Sequence, residues 1–159
     1  MHPHAALIQR FYQAFQQQDA EAMAACYHPD VVFDDPVFIG LRGHEAGDMW
    51  RMLCSRAKQF SLQFDEVVAD DHGGSAHWIA RYEFSQTGRM VVNDIRASFE
   101  FRDGLIVRHR DVFDLWRWSR MALGGKGVLL GWLPPVQGAI RKQALAGLAA
   151  YQRKRATSA

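Results

Sequence analysis

The spacing of apolar residues changes at Phe60, and this change is the strongest constraint on how the 159-residue chain can fold. Before Phe60 the apolar residues recur every three or four positions, as they do on one face of a helix. After Phe60 apolar and polar residues alternate, as on the two faces of a strand, as far as about Leu115. Helices followed by strands predict an α+β fold, in which three N-terminal helices pack on one face of a mostly antiparallel sheet.

The first part of the chain is predicted to form three helices and one short strand. The first helix covers residues 5–18, and Asp19 then has the position of an N-cap for a second helix that ends near Tyr27. A short strand follows at residues 31–33. The third helix is predicted over residues 44–58.

The second part is predicted to form strands separated by turns at residues 70–74, 87–88 and 102–104. The alternation assigns one face of these strands to the protein interior. The apolar residues of this inner face include Trp78, Tyr82, Phe84, Ile95, Phe99, Val107 and Phe113. The polar residues that interrupt it are Asn93, His109 and Asp111.

The composition is that of an ordinary globular domain, with 48% hydrophobic and 23% charged residues. No apolar run approaches the roughly 18 residues that a membrane-spanning helix needs. Residues 1–10 contain neither a basic segment nor a long apolar segment, so we expect no signal peptide and a cytoplasmic location. Basic residues are not interleaved with aromatic residues on the predicted sheet, which argues against nucleic-acid binding.

The sequence contains no recognisable motif for a metal or a cofactor. The seven histidines do not have ligand spacings such as HExxH, and Cys26 and Cys54 lie far apart. We therefore expect no metal, no cofactor and two buried free thiols in helices.

The C-terminal part of the chain differs from the rest in charge. From Leu115 onward there are eight Lys and Arg and no Asp or Glu, whereas the preceding 114 residues carry eleven basic and seventeen acidic residues. We divide the chain into a domain of residues 1–118 and a basic tail of residues 119–159 that packs on the same domain or on a dimer partner. Within the tail, residues 124–127 are predicted to form a flexible connector, and residues 136–154 an amphipathic helix.

Three roles are open for this tail. It could cover a pocket as a lid, reach a second subunit as an arm, or lie on anionic lipid as an interfacial helix. The lid and the arm are favoured, because the helix is rich in alanine rather than in large apolar residues.

Two short stretches place carboxylates beside apolar residues at strand spacing. The first, residues 27–36, contains Asp35, and the second, residues 103–114, contains His109 and Asp111. A carboxylate in an apolar hollow is costly, and acid/base catalysts use this arrangement.

Together with the order of elements, these stretches resemble the SnoaL-like branch of the nuclear transport factor 2 (NTF2) superfamily over roughly residues 5–118. The superfamily also contains ketosteroid isomerase and limonene epoxide hydrolase. The resemblance implies a cone, in which a strongly curved sheet wraps over helices and leaves a hydrophobic pocket open at one end. It also implies a homodimer.

The resemblance gives roles to two carboxylates. Phe33-Asp34-Asp35-Pro36 looks like the segment in which ketosteroid isomerase carries its general base, and Asp35 falls on that position. Residues 110–115 are similar to the last-strand motif of limonene epoxide hydrolase, in which the carboxylate matched by Asp111 activates water.

Other positions depart from both enzymes. Phe11 stands at the isomerase's oxyanion tyrosine and Ala97 at its protonated acid. Trp78 and Ala80 stand at the arginine and aspartate of the hydrolase. Phe33-x-Asp35 replaces its Tyr-x-Asn. Neither known mechanism transfers whole.

The candidate catalytic residues are Asp111 as a base, His109 as its partner on the same strand face, and Asp35 as a second acid or base. The candidate substrate-binding residues are Asn93, Trp78, Tyr82, Phe33, Phe113, Ile95 and Trp50. Each carboxylate also has a structural interpretation, since Asp35 suits a turn and Asp111 suits a buried pair.

These residues favour a protein that binds a small apolar or polycyclic molecule and transfers protons on it without a cofactor, as an isomerase, cyclase or hydrolase. The alternative is a noncatalytic ligand-binding or protein-interaction module, which the missing oxyanion donors favour.

Overall fold

A computed structural model describes residues 1–158 and contains six helices and one six-stranded sheet. The helices are α1 (Pro3–Gln16), α2 (Ala20–Ala24), α3 (His44–Arg56), α4 (Leu115–Leu123), α5 (Gly125–Leu130) and α6 (Pro134–Ser158). The strands are β1 (Tyr27–Asp34), β2 (Leu41–Arg42), β3 (Lys58–Ala69), β4 (Gly73–Glu83), β5 (Met90–Arg102) and β6 (Leu105–Val112). The predicted α+β class is confirmed, with a curved and mostly antiparallel sheet.

The sheet has the strand order β2-β1-β6-β5-β4-β3. All neighbours pair antiparallel except β1 and β6, which run parallel and bring the N-terminal third of the chain beside its last strand. The inner face of the sheet packs on α1 and α3 through a single large core. A smaller core forms where α4 packs on β5, around Val91, Leu115 and Trp118.

Helix α1 begins and packs as its sequence dictates. Pro3 occupies the first turn, where its missing N–H is not needed, and His2 Nδ1 accepts a hydrogen bond from His4 N. The buried face of the helix includes Leu7, Ile8, Phe11, Tyr12 and Phe15. Asp19 caps α2 as predicted, with its carboxylate accepting from Ala22 N at 3.1 Å.

Strand β1 is longer than the predicted strand at residues 31–33 and includes Pro29. Its register with β6 is interrupted between Tyr27 and Val32. Pro29 lies in this interruption, where its missing N–H costs no ladder hydrogen bond. The longer strand places Tyr27 beside Ile106 of β6.

The prediction that Val107 faces the interior is wrong, since Ile106 takes that place and is fully buried. The register between β5 and β6 shifts at Glu100 and Phe101, and this bulge changes the face that the start of β6 presents. Beyond the bulge His109 and Asp111 face inward.

The segment predicted as a flexible connector is instead the short helix α5. A Cβ atom added at Gly127 would lie 2.0 Å from Ser119 O, and one at Gly131 would lie 1.9 Å from Ser119 Oγ. The glycines are therefore needed for the close approach of α5 to α4.

Helix α6 packs back on the N-terminal half of the chain. Leu148 is buried in the main core, and Arg141 Nε donates to Pro36 O at 2.8 Å. Gln152 Nε2 donates to Asp48 Oδ2 at 3.0 Å, and Arg155 lies 3.7 Å from Asp48 Oδ1. In the part of the chain that the structure describes, no helix has the length and apolar character needed to cross a membrane.

Candidate functional site

A cavity of about 270 Å³ lies between the inner face of the sheet, helix α3 and the C-terminal helices. Its wall contains nine aromatic side chains, which come from α1, α3, β3, β4, α4 and the loops. They are Phe15, Phe38, Trp50, Phe60, Trp78, Tyr82, Phe84, Phe113 and Trp118. Helix α6 adds Ile140, Gln143, Ala144 and Gly147. Such a wall suits a compact, largely apolar molecule.

The polar side chains of the cavity fall into two groups. Asp35, Asn93 and Asp111 form the first group, and Asn93 and Asp111 are buried. The remaining polar residues lie toward the open side of the cavity. They are Arg56, Glu83, Ser85, Gln86 and Gln143.

Asp35 is fixed by a turn that follows β1. Its Oδ1 accepts from Val37 N at 2.7 Å and from Phe38 N at 2.5 Å, and its own N–H donates to Phe38 O at 2.8 Å. The turn interpretation is therefore correct for the backbone, and the same turn directs the carboxylate into the cavity.

The surroundings of Asp35 favour its neutral form. Burial raises its pKa to about 7, the charge of Asp111 adds to that rise, and the hydrogen bonds from Phe38 and Val37 oppose it. Asp35 is half-buried and lines the cavity together with the aromatic residues.

Asp111 ends a buried chain of hydrogen bonds that crosses the core. Trp50 Nε1 lies 2.7 Å from Tyr27 Oη, and Tyr27 Oη lies 2.8 Å from His109 Nδ1. His109 Nε2 lies 2.9 Å from Asp111 Oδ1. Trp78 Nε1 donates to the same oxygen at 3.4 Å.

The donors and acceptors of this chain fit together in one way. An indole nitrogen only donates, so Trp50 donates to Tyr27 and leaves the tyrosine O–H free to donate to His109 Nδ1. His109 then carries its proton on Nε2 and donates it to Asp111. A proton on Nδ1 would leave the buried hydroxyl of Tyr27 without an acceptor.

The consequence is an oriented carboxylate. Asp111 Oδ1 receives two hydrogen bonds, while no hydrogen bond from residues 1–158 engages Oδ2. Asp111 is also one of the residues that line the cavity. The imidazole that orients it is fully buried among aromatic rings, with Phe99 at 4.5 Å and Phe33 at 5.0 Å between ring centroids.

Of the ten candidate residues predicted from the sequence, eight line the cavity. Those that line the cavity are Asp35, Trp50, Trp78, Tyr82, Asn93, Ile95, Asp111 and Phe113. His109 lies behind Asp111 and is hydrogen-bonded to its Oδ1. The tenth, Phe33, does not line the cavity but packs behind it on Trp50, with 5.5 Å between ring centroids.

Sequence reasoning missed Tyr27 and the residues that α4 and α6 contribute. Tyr27 was assigned to the end of a helix, and only its parallel pairing with β6 brings it to His109. Trp118 in α4 and Ile140 in α6 carry no local sign of a pocket. Trp118 Nε1 donates to Tyr82 Oη at 2.9 Å, which joins α4 to the cavity wall.

Tyr12 is a second buried tyrosine near the site. Its ring stacks on Phe64 at 5.4 Å, and its hydroxyl has no hydrogen-bond partner among residues 1–158. Burial, followed by the charge of Asp111, raises its pKa well above the ordinary value. Tyr12 does not line the cavity, so the oxyanion tyrosine of the isomerase has no counterpart at this position either.

The cysteines and the outer face of the sheet offer other reactive groups. Both cysteines are free, and burial raises the pKa of Cys54 to about 11, so it is not a nucleophile near neutral pH. On the outer face His77 bonds Asp65 and Asp94, each at 2.7 Å. His77, Asp65 and Glu66 have ligand atoms within 4.8 Å of one another, but both ring nitrogens of the histidine are already engaged.

The family is settled by comparison with known proteins. The sequence pattern of the SnoaL-like domain matches residues 8–109. The chain belongs to the SnoaL-like family. Its membership confirms the resemblance found in the sequence. No curated protein matches this SnoaL-like chain significantly.

Solved structures show the same fold. An LEH-like epoxide hydrolase from M. tuberculosis aligns with a TM-score of 0.63 and 22% identity, covering 84% of this chain and 95% of that one. A proposed polyketide cyclase from Xanthomonas campestris aligns with a TM-score of 0.63 and 23% identity, over 75% and 96%. A computationally designed 17-OHP binder aligns with a TM-score of 0.61 and 19% identity, over 72% and 94%.

Proposed function

We propose that this SnoaL-like protein binds a compact, largely apolar molecule in the aromatic cavity and transfers protons on it without a cofactor. The observation that carries the proposal is the pair of carboxylates, Asp35 and Asp111, on the wall of one aromatic cavity. The proposed reaction is an isomerisation, a cyclisation or a hydrolysis. The fold neighbours include an epoxide hydrolase, a proposed polyketide cyclase and a designed ligand binder, which supports small-molecule binding.

Asp111 is the proposed base. Its Oδ1 is held by His109 and Trp78, so the unbonded Oδ2 would take the substrate proton or a proton from water. The hydrogen bonds from Trp50 through Tyr27 to His109 fix the position of the imidazole before any ligand binds. A base held in place in this way needs little reorganisation during the reaction.

Asp35 is the proposed acid. A carboxyl group with a pKa of about 7 is partly protonated at neutral pH and can return a proton to another atom of the substrate. An ionised Asp111 supports this division, because its charge disfavours a second charge on Asp35. Asn93, also on the cavity wall, would orient the substrate or a water molecule.

Helix α6 is the proposed cover of the site. Ile140 and Ala144 line the cavity, and Arg141, Gln152 and Arg155 tie the helix to the rest of the chain. These contacts favour a lid over an arm to a second subunit for residues 119–159. The homodimer and the cytoplasmic location expected from the sequence remain predictions.

The test is hydrogen–deuterium exchange into carbon acids of graded size, such as cyclic diketones and polycyclic enols, followed by NMR in D₂O. Wild type should accelerate exchange on at least one compound, and Asp111→Asn should lower that rate by about 100-fold or more. Asp30→Asn is the matched control, since this exposed aspartate lies on β1 but not on the cavity wall. Catalysis that survives in the Asp35→Asn/Asp111→Asn double variant would refute the assignment.

The alternative function is a noncatalytic binding module. It is favoured by Ala80 and Ala97, which stand where the hydrolase and the isomerase carry acids. Tight binding of a carbon acid without any acceleration of its exchange would support this alternative over the enzyme.

A further inference from the structure

The charges around the cavity are unbalanced. Three carboxylates line it, Asp35, Glu83 and Asp111, whereas Arg56 supplies the cation on its wall. Among residues 1–158 no Lys or Arg forms an ion pair with any of the three carboxylates. Arg56 is exposed and stands at the open side of the cavity.

The partners of the two inner carboxylates are neutral. Asp35 accepts from backbone N–H groups, and Asp111 accepts from an imidazole and an indole N–H. Neutral donors stabilise a carboxylate without cancelling its charge, so an ionised Asp111, joined by Asp35 above its pKa of about 7, gives the cavity a negative potential. In a site of low polarity this potential acts strongly on a charged ligand.

The indole N–H groups of the aromatic wall are not available to an anion. The three indole N–H groups on the wall are all engaged within the protein: Trp50 donates to Tyr27, Trp78 to Asp111 and Trp118 to Tyr82. These tryptophans therefore contribute mainly π surface to the cavity. A cation over such faces is attracted to the ring electrons, and the attraction grows when water is excluded.

We propose that the cavity selects hydrophobic organic cations, meaning protonated tertiary amines or quaternary ammonium compounds. The cationic group would lie between the carboxylates of Asp35 and Asp111 and the aromatic faces, while the rest of the molecule fills the apolar volume. This inference rests on the proposed function, because it assigns a ligand class to the same cavity. It would account for Phe11 and Ala97 at the positions of the isomerase's oxyanion donors, because the charge that this site stabilises is positive.

Three probes of the same shape test the sign of the charge. They are benzyltrimethylammonium, its neutral carbon isostere neopentylbenzene, and the anionic benzylsulfonate. Binding is followed by the fluorescence of Trp50, Trp78 and Trp118 at pH 8. We expect the cation to bind about tenfold more tightly than the neutral isostere, and the anion to bind most weakly.

Aspartate-to-asparagine variants test whether the cation preference depends on the cavity carboxylates or on the net charge of the protein. In the Asp35→Asn/Asp111→Asn double variant the preference for the cation should fall several-fold, to what the aromatic faces and Glu83 retain, while binding of the neutral isostere remains. Asp30→Asn removes the same kind of charge outside the cavity and should leave the preference unchanged. Far-ultraviolet circular dichroism and thermal unfolding check that each variant is folded.

The outcomes distinguish the inference from the proposed function. Equal or tighter binding of the neutral isostere would overturn the inference, and the exchange assay on neutral carbon acids would still test the proposed function separately. Failure of all three probes to bind would likewise overturn the inference. A cation preference that is undiminished in the double variant would also refute it, because the charge recognition would then lie outside the two carboxylates.

Discussion

At the scale of single residues, Tyr12 and Tyr27 make an instructive pair. Both side chains are buried in the core, yet the hydroxyl of Tyr27 joins Trp50 to His109 while that of Tyr12 has no partner among residues 1–158. Burying a hydroxyl without a hydrogen bond costs free energy, whereas one that satisfies two neighbours stabilises the fold. The same substitution at these two positions should therefore have opposite effects.

Tyr27→Phe should lower the free energy of unfolding by about 2 kcal/mol, because it leaves Trp50 Nε1 and His109 Nδ1 buried without a partner. Tyr12→Phe is the control and should leave stability unchanged or raise it by up to about 1 kcal/mol. Urea unfolding at pH 7 measures both. If the two variants lost the same stability, the hydrogen bonds of Tyr27 would not be what distinguishes them.

At the scale of secondary-structure elements, the tail depends on a few close contacts. Helix α5 reaches α4 only because Gly127 and Gly131 lack side chains where they meet Ser119. Gly138 in α6, by contrast, has nothing within 4 Å of the position where a Cβ would be. Glycine is thus required at one place in the tail and replaceable at another.

Gly127→Ala should disrupt the packing of α5 on α4, since the added methyl group would overlap Ser119 O. Gly138→Ala should instead stabilise the protein by roughly 0.5–1 kcal/mol, because alanine loses less backbone entropy in a helix. Thermal unfolding of the two variants measures the contrast. Equal melting temperatures would show that α5 does not pack on α4 as closely as described.

Asp48 is the anchor of α6, because it binds Gln152 and Arg155 from that helix and His44 and Arg51 from its own. Although burial raises it, hydrogen bonds from Gln152, His44 and Arg51 hold the pKa of Asp48 below its ordinary value of 3.8. The stabilisation is present above that ordinary value and is lost as the pH falls through the folded pKa.

Asp48→Asn should therefore loosen α6 at neutral pH without unfolding the sheet. Hydrogen exchange read by mass spectrometry should become faster in residues 134–158 and stay unchanged in β4 and β5. Asp71→Asn is a suitable control, since Asp71 is exposed in the turn between β3 and β4. Protection of α6 identical to wild type would show that the contacts of Asp48 do not hold the helix in place.

At the scale of the whole molecule, Asp35 links the site to global stability. Its pKa is raised to about 7 in the folded protein against an ordinary value of 3.8, so the folded state binds more protons than the unfolded state between these values. The contribution of Asp35 to stability then falls as the pH rises from about 4 to about 7. A shift of this size corresponds to a loss of up to about 4 kcal/mol.

Asp35→Asn should remove most of this loss. Asparagine keeps an oxygen that can accept from Val37 N and Phe38 N, but it cannot ionise. The variant should match wild type near pH 4 and exceed it in free energy of unfolding near pH 8. Urea unfolding across this range measures both proteins, and parallel curves would mean that Asp35 titrates normally.

How much of the fold the sequence predicts depends on how far apart along the chain the interacting residues lie. Periodicity is local, so it located α1, α3 and the inner face of β4 and β5. The bulge that turned Val107 outward depends on pairing between strands, and the helix at residues 125–130 depends on close packing against Ser119. Neither leaves a local sign in the sequence.

The same distinction applies to the site. Asp35, His109 and Asp111 could be found because each belongs to a local motif, whereas Tyr27 is 82 positions from the histidine that it bonds. Trp118 in α4 and Ile140 in α6 also line the cavity, and no local pattern in the sequence predicts where these helices pack.

The parallel pairing of β1 with β6 also determines when, during folding, the ligand-binding site can form. Strands β3, β4 and β5 are consecutive and can form from near neighbours, whereas Tyr27 meets His109 only after a loop of most of the domain has closed. The chain of hydrogen bonds from Trp50 to Asp111 is thus completed by a contact between residues far apart in sequence, and such contacts form most slowly. In a refolding experiment the ability to hold a ligand should return after most of the sheet has regained its structure.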